Sequence, residues 1–80
     1  MAMVDISEMK RVEKQRVNIH SKVRATYSVF EDGGKRYFQI DTYGSTTRDM
    51  PEKINQTIQI DRQSAMKLIA LLAETFQDSE

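Results

Sequence analysis

Few side chains in this sequence could do covalent chemistry. The chain has one histidine and no cysteine, and nucleophilic catalysis needs a Ser, Thr or Cys held beside a base. His20 lies in an alternating stretch with no acidic neighbour, so it reads as a solvated strand residue rather than a general base. Paired carboxylates would have to come from Asp41, Asp49, Glu52 or Asp61, whose spacing does not bring two of them to one face of an element. Gly33-Gly34 lacks the lysine and the following helix of a phosphate-cradling loop and fits a hairpin turn instead. With too few ligands for a metal site, the expectation is a non-enzymatic protein with no catalytic residues, no metal and no cofactor.

What remains is a set of cations, flat rings and amides. His20, Lys22, Arg24, Tyr37, Gln39, Tyr43, Asn55, Thr57 and Gln59 fall on the outward positions of alternating segments, with Arg36 and Arg48 close by in sequence. Cations for phosphates, rings for stacking and amides for base edges are what a single-stranded nucleic-acid platform needs. The binding residues expected are Lys22, Arg24, Arg36, Tyr37, Gln39, Tyr43 and Arg48. The same composition fits the polar outer face of any small sheet, because tyrosine is a favoured strand residue.

These residues need strands to position them. Val17, Ile19, Ser21, Val23, Ala25, Tyr27 and Val29 alternate with Asn18, His20, Lys22, Arg24, Thr26 and Ser28, the period-two pattern of a strand with one buried face. Glu31-Asp32-Gly33-Gly34 supplies a hairpin turn, and a second strand covers Arg36 to Tyr43, with Phe38 and Ile40 directed inward. Gly44 to Lys53 contains the only proline, lacks periodicity and reads as a polar loop. A third strand begins at Ile54, where Ile54, Ile58 and Ile60 alternate with Asn55, Thr57 and Gln59 and Gln56 breaks the apolar set.

Asp61 is placed to cap a helix from Arg62 to about Gln77. Ala65, Leu68, Ile69, Leu72 and Phe76 form its apolar stripe, expected to face the sheet. Met66, Ala70 and Leu71 widen that stripe enough for a second contact, such as a partner's helix. Before the first strand, Asp5 with Glu8 could open a short basic helix, while Val12 leads as easily into an extended arm. The fold class expected is α+β, a curved antiparallel sheet of three to four strands packed on one C-terminal helix. Residues 1–16 would be the arm or short helix, 17–60 the sheet and 61–77 the helix.

Eighty residues suit one domain, and a chain of this size buries only about 60% of its unfolded surface. Lacking disulfide or metal staples, it is expected to gain buried area by forming a homodimer. The absence of cysteine fits a reducing compartment. Met1 to Val4 lacks the regions of a secretory signal, and no run approaches the roughly 20 apolar residues that span a bilayer, so a cytoplasmic protein without a membrane partner is expected. The formal net charge is zero, yet its distribution is lopsided. Residues 10–36 hold eight cations against three acids, and the residues after 36 hold four cations against seven acids.

Phe38-Gln39-Ile40-Asp41-Thr42-Tyr43, then Thr57-Ile58-Gln59-Ile60, then the helix from Arg62 to Phe76 resemble in order and length the positive-cofactor-four family of single-stranded-DNA-binding transcriptional coactivators. The resemblance covers about half the chain and is architectural. The family usually has arginine where this chain has Asp41, and a glycine-lysine-glycine lead-in where it has Asn55-Gln56-Thr57; both differences remove positive charge. What the resemblance implies is a homodimer and a curved sheet that cradles an unpaired strand of DNA or RNA, with Tyr43 as the aromatic of the motif. The competing expectation, favoured by the neutral net charge and by Asp41, is a small phage or mobile-element accessory protein that docks on a larger protein partner.

Overall fold

The computed structural model describes residues 1–44 and 53–77. In chain order these form β1 (Ala2–Met3), a single 3-10 turn (Ile6–Glu8), β2 (Ala25–Asp32), β3 (Lys35–Tyr43), β4 (Ile54–Ile60) and α1 (Arg62–Phe76). The sheet runs β1-β4-β3-β2. The protein is thus α+β, with a four-stranded sheet and one C-terminal helix, as the patterning indicated. The sheet is mixed, however. The β2/β3 and β3/β4 pairs are antiparallel, whereas β1 lies parallel to β4 with Ala2 opposite Ile58 and Met3 opposite Gln59. A two-residue strand has no alternation to read, so its direction was invisible in the sequence.

The β2–β3 hairpin closes through Gly33 and Gly34 at φ of 60° and 80°. Positive φ at both central residues gives the turn the twist that matches its strands, and side chains resist that conformation. The register that follows sorts every side chain to a face. Tyr27, Ile40 and Ile58 share one side, joined by Val29, Phe38 and Ile60; Thr26, Asp41 and Thr57 share the other, joined by Ser28, Gln39 and Gln59. A register shift between Thr42 and Tyr43 sets Tyr43 opposite Ile54.

The strand expected from Val17 begins only at Ala25. Alternation marks which residues can share a face, but a strand also needs a neighbour to complete its hydrogen-bond ladder. The Tyr43 N–H donates to the Arg24 carbonyl at 3.0 Å, and upstream of that bond β2 has no ladder partner among the described residues. Residues 9–24 form neither helix nor strand, and Ile19 is 99% exposed. The polar loop expected over 44–53 falls largely outside the described residues.

The N-terminal segment takes neither of its expected forms alone. It supplies β1 and one 3-10 turn before becoming an arm, and Asp5 makes no side-chain capping bond. Instead, Ser64 ties the segment down. Its hydroxyl accepts from the Ile6 N–H at 2.9 Å and donates to the Val4 carbonyl at 3.3 Å, while Lys67 Nζ donates to the Ser7 carbonyl at 3.1 Å. Asp61 caps α1 as expected, accepting from the Ser64 N–H at 2.9 Å.

Only Asp61 separates β4 from α1, so the first turns of the helix pack beside the 3-10 turn. Ser64 is buried there, and Ala65, Lys67, Leu68 and Leu71 are half-buried. The remainder of the stripe expected against the sheet faces outward: Ile69, Leu72 and Phe76 are exposed. Ile6 and Ile60 are the only buried hydrophobic residues among those described.

Candidate nucleic-acid interface

The polar face of the sheet is built around Asp41, at the centre of β3. Thr57 on β4 donates its hydroxyl to Asp41 Oδ1 at 2.7 Å, and the Gln39 amide donates to both carboxylate oxygens at 3.1 and 3.2 Å. The Gln59 amide donates in turn to the Gln39 carbonyl oxygen at 2.9 Å. All four residues are half-buried. Every donor in this chain points toward the carboxylate, which fixes the orientation of both amides. A carboxamide carries two N–H donors and an oxygen with two lone pairs, so these bonds use only part of the capacity of the two amides. No buried side-chain nitrogen or oxygen among the described residues lacks a partner.

Aromatic groups flank this network at both ends. At the turn end, Phe30 and Tyr37 stack with centroids 5.4 Å apart and planes 25° apart. At the other end the Arg24 guanidinium lies 4.5 Å above the Tyr43 ring, an attraction worth about 0.5–1 kcal/mol at an exposed site. The Tyr43 hydroxyl and Thr26 Oγ1 are 3.1 Å apart and hydrogen-bonded. The face therefore offers two aromatic platforms separated by an amide and carboxylate floor, with a cation stacked on one of them.

Of the expected binding residues, Arg24, Tyr37, Gln39 and Tyr43 come together on this face. Lys22 lies in the exposed arm, two residues before the ordered ladder, and so is not held by the sheet. Arg36 is placed elsewhere. The register gives it the same side as Phe38, and its guanidinium pairs with Glu31 at 3.0 Å. Arg48 lies outside the described residues. Of the expected contact residues on the helix, Met66 and Ala70 are exposed and Leu71 is half-buried. Phe30 was not among the expected residues, although it continues the Thr26, Ser28 series by two. Nor was the enclosure of Asp41 by its own hydrogen bonds expected.

The opposite face is apolar and largely open. Tyr27 and Phe38 stack there with centroids 5.2 Å apart, yet Tyr27 is 70% and Val29 54% exposed. Between that face and the first turns of α1 runs a cleft of about 990 Å³, lined by Val29, Phe38, Ile60, Ala65 and Met66 and rimmed by charged residues. Among the described residues, no three His, Cys, Asp or Glu side chains gather as a metal site would require, and no helix is long and apolar enough to cross a membrane. Neither the protein-family models, the curated proteins nor the solved structures contain a match to this chain.

Proposed function

We propose that this protein is a non-enzymatic single-stranded nucleic-acid-binding protein that acts as a homodimer. The observation that carries the reading is the arrangement of two aromatic platforms, Phe30–Tyr37 and Arg24–Tyr43, on either side of an oriented amide network on one sheet face. Bases stack on such rings whatever their sequence, and a guanidinium and side-chain amides on the same face are the kinds of group that take up phosphates and base edges. The resemblance to the positive-cofactor-four family supports the same reading.

Surface area supports the dimer. A folded monomer of 9.3 kDa is expected to expose about 5,000 Å², but this chain exposes 7631 Å². Its radius of gyration is 15.3 Å, against about 12 Å for a compact chain of this length. The exposed arm contributes to the excess, and so do Tyr27, Val29, Ile69 and Leu72, each about half exposed or more. A second copy presenting the same surfaces would bury them reciprocally, as twofold interfaces do.

Fluorescence anisotropy with a labelled single-stranded oligonucleotide tests the binding. Association at low micromolar protein in low salt is expected, and its absence abandons the reading. The uncovered apolar cleft also favours a second reading, an accessory module docked on a larger protein. Purification without nuclease treatment separates the two: a nucleic-acid binder carries absorbance at 260 nm, and an adaptor carries a second polypeptide.

A further inference from the structure

The arm between the 3-10 turn and β2 belongs to neither face. From residue 10 to residue 24 it holds Lys10, Arg11, Lys14, Arg16, Lys22 and Arg24 against a single acid, Glu13, a net charge of +5 in a chain whose total is zero. Every residue in it is exposed. The Arg11–Glu13 ion pair at 3.1 Å joins side chains that are 88% and 83% exposed, and pairs of that kind contribute little. Its apolar residues are unburied too, with Val12 at 68% and Val17 at 70% exposure. Apart from Arg24, these cations hold no helix or strand in place among the described residues.

Both ends of the arm are fixed. At its start the Met9 N–H donates to the Ile6 carbonyl at 3.0 Å, closing the turn that Ser64 and Lys67 hold against α1. At its end the Arg24 carbonyl accepts from Tyr43, and the Arg24 guanidinium lies on the Tyr43 ring of the polar face. Since β1 and β2 are opposite edges of the sheet, the arm must cross from one edge to the other. Three strand spacings and one strand length give a diagonal of about 27 Å, whereas fifteen residues can reach about 50 Å. The slack lets the middle of the arm move without unfolding either anchor.

We infer that this arm is a phosphate-binding strap. It closes over a single strand lying on the polar face, and Lys10, Arg11, Lys14 and Arg16 contact the strand's phosphodiester backbone from the side away from the sheet. The inference rests on the nucleic-acid reading above and extends it to four cations that no strand positions. Such a strap adds affinity without sequence preference, and the added affinity weakens as salt rises.

The test uses the full chain and a labelled oligo(dT), with affinity measured by anisotropy across a salt series. The K10A/R11A/K14A/R16A variant is compared with the unmodified protein, with K14A/R16A as the half-way case. Because the altered residues are exposed, far-UV circular dichroism should not change. Each cation withdrawn from a phosphate should flatten the logarithmic salt slope by about 0.7, hence by about 2–3 for all four. Trypsin cleavage after Lys14 and Arg16 in the unmodified protein should slow at least about fivefold when oligonucleotide is bound, as direct contact demands and a long-range field does not. If the unmodified protein binds but the slope is unchanged in the variant, or cleavage of the arm is unaffected, the strap is wrong and the sheet reading survives. If the unmodified protein does not bind, both fall together.

Discussion

On one face of the sheet, Asp41, Gln39, Thr57 and Gln59 are joined by hydrogen bonds; on the other, Tyr27 and Val29 are more than half exposed and Phe38 is covered mainly by Tyr27 and its neighbours. A single register produces both faces, so the difference lies in the side chains and not in the backbone. Polar groups can be completed within one chain because each donor needs only one acceptor nearby. Apolar groups need area, and a chain this small has one helix to provide it. That helix leaves β4 after Asp61 and spends its first turns on Ile6 and the 3-10 turn, leaving Tyr27 and Val29 of the apolar sheet face and Ile69 and Leu72 of its own stripe exposed.

The most severe way to break this contrast is to put charge on the uncovered stripe. The I69E/L72E variant should lose self-association, with light scattering reporting the single-chain mass of 9.3 kDa where the unmodified protein reports twice that. Its thermal midpoint should also lose the concentration dependence that subunit linkage imposes. If the unmodified protein is a monomer at all concentrations, the apolar face has a different partner.

The Y43A variant acts on the other side. Removing one stacking platform, together with the seat of Arg24, should weaken oligonucleotide binding by about 1–3 kcal/mol and leave the oligomeric mass unchanged. Anisotropy and light scattering on the same sample check both halves. Y27A, on the opposite face, should do the reverse.

The turn holds the two faces apart, since a one-residue slip of β2 against β3 would exchange them. Replacing Gly33 or Gly34 by alanine should cost roughly 1–2 kcal/mol for each residue forced to positive φ, measured by chemical denaturation. The smallest effect expected is that of D41N. The lost charge alone would raise affinity for a phosphate roughly 8 Å away by about 0.5 kcal/mol in a water-like medium, while the amide that replaces one acceptor oxygen costs a hydrogen bond of the network, so anisotropy at low salt should show a rise of no more than about twofold.

Much of this was legible in the residues. Period-two alternation located β3 and β4, Asp61 marked the helix start, and paired glycines marked the hairpin. Tyr37, Gln39 and Tyr43 were assigned to the face they occupy, because alternation fixes relative orientation. Three things were not legible, each for a physical reason. Val17 to Val23 alternate without forming a strand, since a pattern cannot report whether a ladder partner is present. Arg36 was grouped with Tyr37 by proximity, but neighbours in a strand point to opposite faces, and it pairs with Glu31 instead. The stripe of Ile69, Leu72 and Phe76 was identified correctly as apolar, but periodicity does not say what covers it.

The polar-face claim is tested most directly by titrating oligo(dT) into isotope-labelled protein and following the glutamine side-chain amides by NMR. Gln39 and Gln59 lie on the polar face, while Gln56 pairs with Thr42 on the other. The account predicts that the Gln39 and Gln59 signals shift together with the Tyr37 and Tyr43 rings as the oligonucleotide binds, and that Gln56 stays in place. Shifts at Gln56, Tyr27 and Phe38 with Gln39 and Gln59 unmoved would contradict it.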